Sequence, residues 1–204
     1  MYNKENFAVM KITEKKSLDK RLSSVYFHPQ YTLSTNTKSL MLVTAPKKNV
    51  NVEDMPAPKD GSKLTKQFKP FLLSVDDAKR VEKIIPQTIH ALLNHAAVID
   101  QPDNDKVKFY ASDCSLDNVI SCEKVNSEYY SIFEAFPRGT PQMTIRLDMD
   151  LLKDLLEAIK KAKGRSAISD IYIDLYGENK AIRFRTQNKE TGQKVVALLQ
   201  PMIK

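Results

Sequence analysis

Residues 73–85, LSVDDAKRVEKII, decide the fold, because residues 147–159, LDMDLLKDLLEAI, repeat their plan 74 residues later. Each stretch opens on a Leu that ends a strand. Each continues through a capping residue, Ser74 or Asp148, and an early acidic residue, as in a capping box. Each then runs into an apolar stripe at helical spacing: Ala78, Val81, Ile84 and Ile85 in one, Leu152, Leu155, Leu156 and Ile159 in the other.

Working outward from the pair, a similar order recurs around them. Before the second copy, MTIRLD reads as a strand. After it, DIYIDLYG, AIRFRTQ and KVVALLQPMI read as three strands joined by turns at GEN and NKETG. After the first copy, Pro86 interrupts, and QTIHALLNHAAVI resumes a helical stripe at Ile89, Leu92, Leu93, Ala96 and Ala97. KVKFYAS, NVISCEKV and YYSIFEAF then read as strands. Upstream, FAVMKI (7–12) reads as a strand and TEKKSLDKRLSSV as a short helix, with Thr13 as its cap and Leu18, Leu22 and Val25 at helical spacing. SSVYFHP, YTLST and SLMLVTA follow as antiparallel strands.

One β-α-β-β-β unit therefore occurs three times. A unit of this kind cannot bury both its sheet face and its helix alone, so copies must pack beside one another. The expected fold class is α+β, built from repeated β-α-β-β-β units with antiparallel sheets outside and helices on one side. The expected organisation is a domain of two units over residues 1–137, with a mobile loop at 47–70, and a single C-terminal unit over 138–204, the boundary falling at the Pro137–Pro141 stretch.

The 204 residues are 42% hydrophobic and 28% charged, the composition of a chain that folds. No run reaches the eighteen or so apolar residues of a membrane span, and residues 1–5 lack the apolar core of a signal peptide, so the expected location is cytoplasmic. The net charge is +7, and the excess sits in residues 1–70, which hold 13 Lys/Arg against 6 Asp/Glu. A basic third is suited to phosphate backbones or is simply a solvated lysine-rich surface.

Three passages in this order resemble the DNA sliding clamp family, the processivity factors typified by the bacterial DNA polymerase III beta subunit. LSTNTKSLML (33–42) is similar to the family's apolar-A-T-D-x-x-x-L pattern, keeping Thr35 and Leu40 but placing Asn36 where the pattern has Asp. YYSIFEAFPRGTPQMTI (129–145) is similar to the connection between units. VVALLQPMIK (195–204) is similar to the terminal apolar-x-M-P-M-basic ending, with Gln200 at the first Met.

The resemblance implies a protein without a cofactor that encircles or cradles duplex DNA independently of sequence and docks a replicative polymerase or clamp-loader peptide. A homo-oligomeric ring is implied too. The three units visible here are only part of such a ring, so several chains, a disguised fourth unit or no ring at all stay open.

By that analogy the DNA contacts are Lys15, Lys16, Lys20, Arg21, Lys79, Arg80, Lys83, Lys153, Lys160 and Lys161, acting as point charges on phosphates. The partner-peptide pocket would comprise Leu40, Leu198, Gln200, Pro201 and Met202. The bland reading stands beside each: the acidic start and basic end of the last helix complement its dipole, and Leu40 and Leu198 are ordinary core. A clamp-fold interaction module that does not bind DNA is the alternative.

Enzyme signals are poor, and no catalytic residue or metal ligand is assigned. His28, His90 and His95 are scattered without an acidic companion. Cys114 and Cys122 fit neither a CxxC pair nor a zinc knuckle, and the five glycines form no phosphate-binding loop.

Overall fold

The computed structural model describes residues 1–46, 51–88, 93–99, 105–130, 136–137, 139–163, 170–187 and 193–202. Its N-terminus departs from the sequence reading. Lys4–Ile12 forms a 3-10 helix (η1) rather than a strand. Asn3 and Asn6 make a reciprocal capping box, each side chain accepting from the other's backbone N–H, at 3.1 and 3.4 Å. Asn6 is fully buried; its amide donates to Val43 O and Thr44 O at 3.2 and 3.1 Å, and its own carbonyl accepts from Thr32 Oγ1 at 2.7 Å. These bonds fix η1 on the strands that follow and outweigh the alternation of FAVMKI.

Residues 13–23 are turns and bends, not a helix. Thr13 ends η1 instead of capping a new helix, its hydroxyl donating to Met10 O at 2.8 Å. Leu18, expected in the buried stripe, is 101% exposed. The three strands after it form as expected: β1 (Ser24–His28), β2 (Tyr31–Thr35) and β3 (Leu40–Thr44), an antiparallel meander. Within the expected 47–70 loop, Val52–Asp54 makes a short 3-10 turn and Leu64–Thr65 a strand, β4; residues 47–50 lie outside the described residues.

The deciding stretch folds as read. β5 (Phe71–Ser74) leads into α1 (Val75–Ile84), with the Ser74 hydroxyl accepting from Asp77 N at 3.1 Å, a cap of about 1 kcal/mol. The helix does not resume after Pro86 among the described residues. Ala97–Ile99 is a strand, β6, followed by β7 (Lys106–Ser112) and β8 (Asp117–Glu123). Ala96 and Ala97 favour helix intrinsically, but both are fully buried in the sheet, and tertiary packing overrides propensity. Residues 89–92, and residues 131–135 of the strand expected at YYSIFEAF, lie outside the described residues, while Tyr129 and Tyr130 are not in a strand.

In the last repeat, α2 (Met149–Lys163) begins after Asp148, whose Oδ1 accepts from Asp150 N and Leu151 N at 2.9 and 3.0 Å. β9 (Tyr172–Asp174), β10 (Ile182–Gln187) and β11 (Lys194–Leu199) follow. The strand expected at MTIRLD does not form a ladder. Helix starts at Val75 and Met149 keep the 74-residue repeat of the sequence.

The fold class is α+β, and among the described residues every strand pairing is antiparallel, in sheets of order β3-β2-β1-β5, β4-β6-β7-β8 and β11-β10-β9. The chain divides into two compact units, Met1–Ala135 and Phe136–Lys204. Unit 1 holds two repeats around one core. At its centre Phe27 meets Tyr2 and Phe7 from the first repeat and Phe71 and Phe109 from the second, with ring centroids 5.1 to 5.8 Å apart. Truncating such a ring costs about 3–5 kcal/mol. Unit 2 holds one repeat, with Ile159, Ile182, Phe184 and Leu199 buried between α2 and its sheet.

Candidate functional site

The positively charged candidates of unit 1 fall into four groups. Lys15, Lys16 and Lys20 are exposed on the connection from η1 to β1, not on a helix. Lys15 lies close enough to the start of α1 to contribute to lowering the Asp76 carboxyl, an effect led by the hydrogen bond from Lys79. Lys79 and Arg80 make i,i+3 ion pairs with Asp76 and Asp77 at 2.9 and 2.6 Å, and so present less net charge than their sequence positions suggest. Lys83 is exposed near the end of α1, where it lines a groove of about 500 Å³ with Lys4 of η1.

Arg21 is engaged within the protein. Its guanidinium binds Asp19 through Nε at 2.9 Å and Nη2 at 2.7 Å, and lies 4.1 Å from the centroid of the Tyr130 ring. The Tyr130 hydroxyl donates to the same carboxylate at 2.5 Å. The Arg21 bond first, and Tyr130 second, hold Asp19 well below the usual carboxylate range. A cation clasped in this way is a poor phosphate ligand.

The same connection, Lys124–Tyr130, covers the outer face of the first sheet. Tyr129 stacks on Tyr26 at 4.9 Å and 10°, and His28 on Tyr31 at 4.3 Å. Between this connection and the sheet runs a groove of about 780 Å³, walled by Tyr26, Tyr31, Tyr129 and Pro70, with Lys69 and Glu128 also lining it. Sequence reasoning missed it because Tyr26 and Tyr129 are joined only by the fold.

Leu40 is half-buried against Tyr31 and Leu33, in the same cluster as Tyr129 and Tyr130. The polar residues before it make a hairpin turn. Asn36 Oδ1 accepts from Lys38 N and Ser39 N at 3.1 and 2.8 Å, and Thr35 Oγ1 donates to Ser39 O at 2.8 Å. Thr37 at the tip has a φ of 70°, the left-handed region. Because Asn36 works only as an acceptor in these bonds, the amide does what a carboxylate would do there.

The other candidates belong to unit 2. Lys153, Lys160 and Lys161 are exposed on α2. Leu198 is 62% exposed on the outward side of β11, and Met202 is exposed beyond it. Pro201 is buried between them, and the Gln200 side chain donates to Asn179 O at 3.3 Å. On the same outward side, Asp174 accepts from Arg183 and Arg185 at 2.7 and 2.6 Å. Arg185 first, then Arg183, depress its carboxyl below the usual range.

Among the described residues there is no cluster of three His, Cys, Asp or Glu side chains able to hold a metal, and no helix long and apolar enough to cross a membrane.

No family model matches the chain, and no curated protein matches it. Solved structures do. The beta chain of DNA polymerase III from Streptococcus pneumoniae superposes with a TM-score of 0.68 at 11% identity, over 98% of this chain and 47% of that one. The beta clamp of H. pylori, solved with diflunisal, superposes at 0.63 and 12%, over 100% and 49%. The polymerase III beta of Caulobacter crescentus superposes at 0.59 and 15%, over 98% and 50%. The chain thus spans about half the length of the solved structures it matches.

Proposed function

We propose that this chain, whose fold is that of the beta clamps, serves as a clamp-like processivity factor that encircles or cradles duplex DNA and captures peptides of a polymerase or loader. The observation that carries the reading is the packing of helical elements from two repeats, η1 against α1, with exposed lysines at Lys11, Lys83 and the adjoining Lys15, Lys16 and Lys20. Such an array contacts phosphates without reading sequence. Peptide capture rests on Leu40 in unit 1 and on Leu198 and Met202 in unit 2. Each offers apolar surface of the kind that anchors a partner by desolvation.

A second reading is a clamp-fold interaction module without DNA binding. The ion pairs at Lys79 and Arg80 and the clasp on Arg21 favour it, since they neutralise three of the ten candidate cations.

Retention on a nicked circular plasmid, compared with the same plasmid after one linearising cut, separates the two. A clamp stays on the circle at a salt concentration that strips it from the linear form, and reversing Lys15, Lys16 and Lys20 to Glu weakens that retention. Absence of retention on both forms at low salt favours the interaction module.

A further inference from the structure

Unit 1 shows how two repeats complete one another. The residues leading into each helical element pair with the first strand of the other repeat or with the residue just before it. Tyr2, just before the Asn3 cap, pairs with Ala96, while β5, just before α1, pairs with β1 through Leu73↔Val25 and Phe71↔Phe27. The other edge of the lead strand is held by its own repeat, Val125 N donating to Leu72 O at 2.9 Å.

Unit 2 reproduces the own-repeat half of this arrangement, and the other half is not found among its described residues. Met202 N donates to Arg146 O, again at 2.9 Å, at the position 74 residues after Leu72. Residues 143–147 alternate half-buried and exposed like a strand, yet have no ladder partner among the described residues. β9, the first strand after the helix, is the edge of its sheet among the described residues. The open side is apolar. Met149 is 80% exposed where its counterpart Val75 is 6%. Ile173 is 54% exposed where Val98 is 3%, although each stands opposite a buried phenylalanine, Phe184 or Phe109. Leu152 and Leu155 are half-buried where Ala78 and Val81 are fully buried.

We propose that this open side is an interface with a second copy of the chain, in which two C-terminal units pair about a twofold axis as the two repeats of unit 1 pair within one chain. The lead segment Ile145–Leu147 of each copy adds antiparallel to the free edge of β9 in the other, and Met149 and Ile173 become buried between them. A second copy fits because the surface is self-complementary: each carries both a lead segment without a ladder partner among the described residues and a first strand paired on one edge only. Two such halves close on each other and leave nothing over, as an isologous contact requires. An exposed apolar patch of this kind beside a free strand edge is otherwise a liability.

The register follows from unit 1. Leu147 precedes its cap as Tyr2 does, and Ile171 lies two residues before Ile173 as Ala96 does before Val98. Transferring the Tyr2↔Ala96 pairing sets Leu147 opposite Ile171, Arg146 opposite Tyr172, and Ile145 opposite Ile173. The Arg146 carbonyl already faces Met202, so Arg146 and Tyr172 form a non-hydrogen-bonded pair. Their Cα atoms would then stand about 4.5 Å apart, within disulfide range.

The test is sedimentation equilibrium on the full chain, with cross-linking in a Cys114→Ser background. The expected mass is twice the 23.2 kDa of one chain. Met149→Glu reduces it to one chain with unchanged far-ultraviolet circular dichroism, because the side chain is exposed in the single copy and a carboxylate suits a helix N-terminus. The Arg146→Cys/Tyr172→Cys double variant forms an interchain disulfide well above the level of either single variant. A single-chain mass up to high micromolar concentration overturns the proposal. So does a dimer that survives Met149→Glu and leaves the double variant uncross-linked.

Discussion

Replacing Asn6 by Ala should destabilise unit 1 by about 3 kcal/mol. Asn6 is 0% exposed, and its side chain donates to two β3 carbonyls and accepts from Asn3 N. Alanine leaves the two carbonyls and the Asn3 amide short of a partner at a partly buried site, at a cost of about 1 kcal/mol for each, the low end of the usual range because water reaches part of the site. For a unit of this size, about 4 °C is lost per kcal/mol, so the midpoint should fall by about 12 °C. Thermal unfolding followed by circular dichroism reads this directly. Asn6→Asp adds a check with a definite sign. It loses the donor and buries a carboxylate whose folded pKa is raised, so its deficit should be large at pH 7 and shrink as pH falls and the carboxyl is protonated. A fall of less than about 4 °C for Asn6→Ala would refute the idea that Asn6 fixes η1 on β3.

Three further outcomes are expected. Asp174, depressed by Arg185 and Arg183, stabilises unit 2 above the unfolded carboxyl pKa of about 3.9; the gap in melting temperature between wild type and Asp174→Asn should be widest near pH 7 and close as pH falls below about 4, and a gap that widens on acidification would contradict this. Burial, with Asp77 adding, pushes the Cys122 thiol up to about 11, so at pH 8 a thiol reagent should modify exposed Cys114 in the folded protein and reach Cys122 only on unfolding. Leu198→Glu should leave the melting temperature unchanged while weakening capture of a polymerase-derived peptide by about 2 kcal/mol in a titration, and unaltered binding would remove Leu198 from the interface.

Much of the architecture was legible because local signals agreed with the fold. Ser74 and Asp148 cap their helices, the β1–β3 stretches alternate or run apolar over strand lengths, and β10 and β11 alternate in burial. η1 was not legible: Phe7 and Val9 alternate like a strand, whereas the deciding bonds come from Asn6 to residues 26 to 38 positions away. Nor was β6, where Ala96 and Ala97 favour helix but neighbours from elsewhere in unit 1 enclose them. The candidate site was legible as composition only. Charge counting finds Arg21, but not Tyr130, 109 residues on, which holds it against Asp19. It finds Lys79 and Arg80, but not the carboxylate rotamers that neutralise them. The strand signal at MTIRLD without a strand is the converse case, a local pattern with no ladder partner among the described residues.

The measurement that bears most directly on the clamp reading is the affinity of the full chain for a labelled duplex across a salt series. Binding should be indifferent to sequence, with log K falling linearly in log salt, and the slope should flatten by about one for each of Lys15, Lys16 and Lys20 removed. Affinity that is absent at low salt, or present but unchanged by salt and by those substitutions, would contradict it.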